Sequence, residues 1–576
     1  MKTLPILLAT TIVFTFAVQS FAFDGQEINP KKQTVYKLPI LQPVFDFDPL
    51  KATNDPVKAN FVSQIYNNLV TYRTKKDDSS NSFGDIIPDL AEEWNVSSDR
   101  KLYNFKLKKN VYFQNGRKFD AYDVKHTIER IANPKTMPKE LTWVFQDLPL
   151  RGLKQFQSDC RKNKLNPALI GVEVLDSNII QISLDKPTPF LFKILALPAF
   201  AIIPKEVVDR YGSDFGKHPI GTGAYKVSRF NNQSIILEKN TNYFEESLPH
   251  IERLEYKVVS SFEESYKLFL NGQLDQTYIP DSEINRLFEQ EKYNKYSINV
   301  FEETSYNNPL VSSIIKEPEL INTFIGINSQ KSFLKLVKVR EALNYSVDKS
   351  KIISDVLKYR AIPSAGNIPI GFPDFISNEK MPYQYDLLKA KKLLYEAGLI
   401  DSNGDKILEY KNKAVSLNLW YYKEPRTESV CKLVKKDLEA LGIKINLKAS
   451  SNWNNYMKSI ISGQADLYNL TWKAKYPDMD KIYTPLFSSN NLSYSTNNTT
   501  RFYDEKVNKL LSNARNMIDL DGRLKIYSQV EKLILEQTPV IYMYQPTKYI
   551  MVNPDVAGMQ IHPVLNEIYK YVYFRD

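Results

Sequence analysis

Between Trp472 and Asp480 the chain reads Trp-Lys-Ala-Lys-Tyr-Pro-Asp-Met-Asp, which puts two aromatic rings, two lysines and two carboxylates within nine residues. That set suits non-covalent recognition. An ammonium can hold a carboxylate or another anion, and Trp472 and Tyr476 each offer a large apolar face with one polar handle. Two readings of Lys475 stand side by side. Either it meets a ligand anion, or it turns to solvent or pairs with Asp478 or Asp480 while another acid serves the ligand. The rings of Trp472 and Tyr66 fit a ligand wall and ordinary core packing equally well.

Parts for covalent chemistry are sparse. The chain has four histidines: His126 within a helical pattern, His218 beside a Gly-Thr-Gly turn, and His250 and His562 by themselves. None has zinc-ligand spacing from another, and there is no Gly-x-Ser-x-Gly elbow. A carboxylate pair for glycoside cleavage is defined by separation in space, which sequence spacing does not fix, so an exported hydrolase stays as the alternative from another class. Gly221-Thr222-Gly223 lacks a following Walker lysine and reads as a structural turn whose glycines supply backbone angles that other residues resist. Asp401-Ser-Asn-Gly-Asp405 does not continue to the terminal Glu of a calcium loop and also reads as a turn. No cofactor and no metal are expected.

The elements that must position these residues follow from periodicity. Tyr103, Phe105 and Leu107 alternate, and a turn through Lys108-Lys109-Asn110 predicts pairing with Val111–Phe113, with Asn110 tolerating positive φ. Asp120, with Asp123 three residues on, predicts a capped helix from Ala121 carrying Val124, Ile128 and Ile131 inward. Tyr385 to Gly398 fits a helix stopped by glycine. Val415–Tyr421, a helix from Pro425 to Leu441, and the alternation Ile443, Ile445, Leu447 predict a β-α-β unit.

Several blocks are similar to one family in that family's order. Leu90-Ala-Glu-Glu-Trp-Asn-Val through Phe119-Asp-Ala-Tyr-Asp-Val124, Gly171 to Pro204, His218-Pro-Ile-Gly-Thr-Gly-Ala-Tyr225, and Phe324-Ile-Gly-Ile-Asn328 with Val337–Lys349 resemble the dipeptide- and oligopeptide-binding proteins of bacterial ABC importers, solute-binding family 5. The resemblance runs from about residue 35 to the C-terminus. Trp472–Phe487 resembles the family's cleft segment Trp-x-Ala-Asp-Tyr-x-Asp-Pro, with Lys475 where the family has an Asp that holds a peptide's α-ammonium. Ile65-Tyr66-Asn67-Asn68-Leu69-Val70 resembles Ile-Tyr-Glu-Gly-Leu-Val, with Asn67 replacing the acid. Ala224 stands where the family has Pro.

The resemblance implies an α/β, two-lobed periplasmic binding protein of the Venus-flytrap type, with an extra subdomain and mixed sheets. The implied division is residues 23–60, 190–320 and 540–576 for lobe I, 61–189 for the extra subdomain and 321–539 for lobe II. Crossings near Phe324–Asn328 and Pro539–Tyr544 would form the hinge that absorbs lobe rotation. The implied function is capture of peptides or peptide-like solutes and delivery to an inner-membrane ABC permease with ATPase subunits, without enzymatic turnover. A binding protein for a non-peptide or anionic solute is the alternative, and a sensor or chaperone role would use the same body. The implied ligand-binding residues are Tyr66, Asn67, Trp472, Lys475, Tyr476 and Asp478.

Composition sets the remaining bounds. With 576 residues, 43% of them apolar and 25% charged, the chain is globular and too long for one core. The net charge of +10, or +9 without Lys2, is spread among 66 acids and forms no nucleic-acid motif, so no nucleic-acid partner is expected. Lys2, the apolar run Leu4–Val18 and Ser20-Phe21-Ala22 predict a signal peptide cleaved after Ala22. No cysteine stands just beyond that run, so the mature chain is expected free in the periplasm, without a lipid anchor and as a monomer. Cys160 and Cys431 are expected in different lobes as separate thiols.

Overall fold

The computed structural model describes residues 34–53, 55–74, 84–289, 314–372, 382–489 and 498–575. The expected signal segment lies outside the described residues. Three sheets organise the chain. In the first, Val35–Ile40 runs parallel to Arg253–Val258, and Ser234–Lys239 and Tyr225–Phe230 follow antiparallel. In the second, Ala91–Val96, Leu102–Leu107, Ile179–Ser183 and Val172–Asp176 are all antiparallel neighbours. The third has eight strands. Its main order is Gln276–Tyr278, Val540–Val552, Ile321–Ile327, Leu467–Lys473, Ser416–Tyr422, Lys444–Ser450.

Each sheet builds its own apolar core. The first gathers Tyr36, Phe47, Phe61, Tyr66, Tyr225 and Tyr256, and is completed by Tyr569, Val572 and Phe574 from the end of the chain. The second holds Phe105, Phe113, Val124, Ile128, Ile180 and Phe190, with Tyr476 arriving from far along the sequence. The third sheet is covered on both faces. Phe324 and Tyr542 enter one cluster and Ile325 and Ile541 the other, as a period of two requires when neither face meets water. Among the described residues no helix is long and apolar enough to cross a membrane.

Local readings transfer well. Asp120 accepts from the Tyr122 amide, and Asp123 in turn accepts from the Asp120 amide, closing the cap of the Ala121–Ala132 helix. Ser416–Tyr422 and Lys444–Ser450 are parallel and joined by the Pro425–Glu439 helix, the expected β-α-β unit. Cys160 and Cys431 are free thiols in separate cores. Asp401 caps its own turn, accepting from the Gly404 and Lys406 amides.

Three readings change. Leu102–Leu107 pairs with Ala91–Val96 and Ile179–Ser183, not with Val111–Phe113, where Tyr112 makes a single bridge to Lys118. Positive φ falls at Gly116 rather than at Asn110. Apolar alternation shows that a strand exists but not which strand it meets. Secondly, the Gly-Thr-Gly glycines do not adopt positive φ; a Cβ on Gly221 would lie 2.1 Å from the Ile65 carbonyl oxygen, and one on Gly223 2.4 Å from the Ile65 carbonyl carbon. Close backbone approach is what demands glycine here. Gly223→Ala is therefore expected to destabilise by about 1–3 kcal/mol, the range for overpacking, and a urea midpoint equal to wild type would contradict it.

Thirdly, the strand expected to cross between the lobes changes partner part-way along. Val540–Val552 pairs with Ile321–Ile327 over residues 540–544, then with Ile314–Pro318 over residues 547–551. The change of partner falls at Pro546, which has no amide hydrogen to donate. The change of partner therefore falls across Pro318–Ile321 and Tyr544–Thr547, near Phe324–Asn328 and at the end of Pro539–Tyr544.

Candidate functional site

Trp472 ends the Leu467–Lys473 strand beside Asn322, with Thr471 and Lys473 exposed on either side. Its indole Nε1 donates to the Lys481 carbonyl at 2.9 Å, which folds the following turn back against the strand. A recess bounded by Trp472, Asn322, Phe324, Asn367, Ile482 and Tyr542 has a free volume of about 10 Å³. That is room for about one water molecule. A solute larger than water does not fit inside this recess.

Beyond Trp472 the chain leaves the third sheet and docks on the second core. Tyr476 is buried between Trp143 and Phe190, with ring centroids at 5.6 and 5.9 Å, and its hydroxyl donates to Asp147 Oδ2 at 3.1 Å. Burial and the Asp147 carboxylate push its pKa far up. Its observed place is core packing. Lys475, one residue earlier, is exposed, whereas Ala474 and Tyr476 on either side are buried.

Asp478 is buried and does not pair with Lys475. Arg523 grips it bidentately, Nη2 to Oδ1 at 2.8 Å and Nη1 to Oδ2 at 3.1 Å, and Lys193 Nζ adds a third contact at 3.1 Å. Burial opposes its ionisation, but Lys193 and Arg523 outweigh that and hold the carboxyl well below the usual range. Asp480, fully buried, receives Lys481 at 2.8 Å and Arg515 at 2.5 Å. Asp147, on the second core, receives Lys481 at 2.7 Å and is also bound by Arg515. The Phe190 ring faces Lys481, Arg515 and Arg523 at 4.9, 5.4 and 5.3 Å, a cation–π contribution to the same cluster.

This buried ion cluster joins the second core to the third sheet, and sequence reading missed it. Asp478 and Asp480 within an apolar run are a signal that counter-charges must exist, since a buried carboxylate needs a partner. Nothing in spacing identifies Lys193, Arg515 or Arg523 as those partners.

Tyr66 and Asn67 belong to the first core and its edge. Tyr66 is buried at the end of the Pro56–Ile65 helix, and its hydroxyl has no hydrogen-bond partner among the described residues. The half-buried Asn67 donates through Nδ2 to Asp89 Oδ1 at 2.9 Å and accepts from the Thr222 hydroxyl at 3.1 Å. Burial raises the Asp89 pKa to about 6, against the lowering effect of Lys570, the Asn68 amide and Lys108. An acid thus sits beside Asn67 although position 67 itself lacks one. Among the described residues no hydrogen bond or ion pair joins Tyr66 or Asn67 to the Trp472–Asp480 segment. Asp401, Asp405 and Glu409 lie near enough to share a cation; backbone amides of their own turn bond Asp401, Asp405 and Glu409 Oε2, while Glu409 Oε1 has no hydrogen-bond partner among the described residues.

Separate cores bridged by one long strand, with aromatic and charged groups at the seam, are the arrangement of a two-lobed binding protein. The chain belongs to the bacterial extracellular solute-binding proteins, family 5, whose middle-region model matches residues 85–494. It is 25% identical over 480 residues to the glutathione-binding protein GsiB of Salmonella paratyphi A, covering 82% of this chain and 83% of that one. To the periplasmic oligopeptide-binding protein OppA of Salmonella typhimurium it is 24% identical over 496 residues, 84% of each chain. The solved unliganded open form of the periplasmic murein tripeptide binding protein MppA has the same fold, with a TM-score of 0.74 at 22% identity over 95% of this chain and 98% of its own.

Proposed function

We propose that this protein is the periplasmic capture component of an ABC importer, taking up peptides or peptide-like solutes and passing them to an inner-membrane permease with ATPase subunits. The observation that carries this reading is similarity along most of the chain to family 5 members named for glutathione and oligopeptide binding. In this reading residues 1–22 are removed on export, the mature chain works as a monomer without a lipid anchor, and it binds without turnover. Lobe I, the extra subdomain and lobe II correspond to the first, second and third cores. Trp472, Lys475 and Asn67 face the solute. Tyr476 supports the segment from behind, and Asp478 anchors its far end.

Ligand-stripped protein titrated with di- to pentapeptides should melt at higher temperature, because a ligand at one hundred times its Kd adds about 2.7 kcal/mol to the folded state. Mass spectrometry of the recovered peptides should find them intact. Unchanged melting with every peptide, together with undiminished peptide uptake by a deletion strain, would sink the peptide reading. Cleaved peptides would sink the claim of no turnover.

A further inference from the structure

We infer that Lys475 is a specificity-determining residue and that the group a solute presents to it is an anion, in the first instance a carboxylate. This rests on the reading above, that Trp472 and Lys475 face the solute.

The geometry fixes where Lys475 can point. Ala474 and Tyr476 are buried, Tyr476 is wedged between Trp143 and Phe190, and the Trp472 indole ties the turn to Lys481. With its neighbours facing inward, the Lys475 side chain projects from the seam. The acids of its own segment are not available to it. Asp478 is taken by Arg523 and Lys193, and Asp480 by Lys481 and Arg515, while Asp147 opposite is shared by Lys481, Arg515 and Tyr476. Among the described residues Lys475 forms no ion pair.

The surrounding field has the same sign. Among the described residues the cluster sets four cations, Lys193, Lys481, Arg515 and Arg523, against three carboxylates, Asp147, Asp478 and Asp480. Lys473 adds a further charge beside Lys475. Burial and Lys473 lower the Lys475 pKa, and the opposing influence comes from Glu140 on the second core's side of the seam. A cation held among cations gains from an arriving anion and loses from an arriving ammonium. Asn67 does not alter this balance, because its carboxamide is already tied to Asp89 and Thr222.

The test is calorimetric titration of wild type, Lys475→Gln and Lys475→Glu with trialanine, N-acetyl-trialanine, and two non-peptide pairs, citrate with glycerol and glutarate with cadaverine. Wild type should prefer the acetylated peptide, which has lost its ammonium and keeps its carboxylate. Lys475→Gln should weaken that binding about tenfold to a hundredfold, the range for a charge-assisted hydrogen bond, and Lys475→Glu should shift preference to trialanine. Because Lys475 is exposed, both variants should melt with wild type, which separates a binding effect from a folding one. Equal or tighter binding of trialanine by wild type, or binding unchanged by Lys475→Gln, overturns the inference and leaves the peptide reading intact. Binding of citrate or glutarate but of neither peptide, with loss in Lys475→Gln, supports the inference while the peptide reading fails. Binding of none of the anionic probes overturns it.

Discussion

Arg523→Met is expected to lower folding stability by about 3–5 kcal/mol, the cost of leaving a buried charge without its main partner. Among the described residues Asp478 would then keep Lys193 as its cation, beside the Asp480 amide, in a site almost closed to water. Replacing both partners, Arg523→Met with Asp478→Leu, should recover part of the loss, because the buried carboxylate is no longer stranded while Lys193 keeps the Pro477 carbonyl. Urea denaturation of the three proteins measures this, and a single variant as stable as wild type would show that the pair does not hold the segment. The acid limb gives an independent reading. The folded Asp478 pKa lies below its unfolded value, so its stabilisation is present above the unfolded pKa near 4 and is lost as pH falls through the folded one. Wild type should therefore lose stability more steeply than Asp478→Asn below about pH 4.

Tyr476→Ala is expected to cost about 3–5 kcal/mol, the range for deleting a buried aromatic ring. The cavity would open between Trp143 and Phe190, where the second core receives a fully buried ring from far along the sequence. Tyr476→Phe keeps the ring and loses one hydrogen bond to Asp147, which retains Lys481 and Arg515, so about 1 kcal/mol is expected. Thermal melts should rank wild type, Phe, Ala. If Phe proved as damaging as Ala, the hydroxyl rather than the ring would be the anchor.

Much of the fold was legible because its signals are local. The Asp120–Asp123 cap and the 416–450 β-α-β unit are each written within one short stretch, and helical and strand periods are read without knowing what lies across the core. The site was less legible because its determinants are distant. Tyr476 matched a cleft pattern by position, yet its ring is claimed by Trp143 and Phe190. Asp478 stands three residues from Lys475, but its partners come from residues 193 and 523. The glycines of the Gly-Thr-Gly turn were recognised as necessary for the wrong reason, since a contact with Ile65 cannot be seen from the turn itself. The change of partner at Pro546 went unread for the same reason, as a strand carries no local mark of where its neighbour changes.

The distribution of the first core along the chain dictates an order of assembly. Tyr36 is among the earliest described residues to leave the ribosome, yet the rings that pack on it, Tyr569 and Phe574, are among the last. The second core, drawn almost wholly from residues 50–202, can close while synthesis continues. The first sheet must wait for its aromatic face to be covered until residues 569–574 arrive. Loss of those residues would thus strike the oldest described part of the nascent molecule rather than its newest.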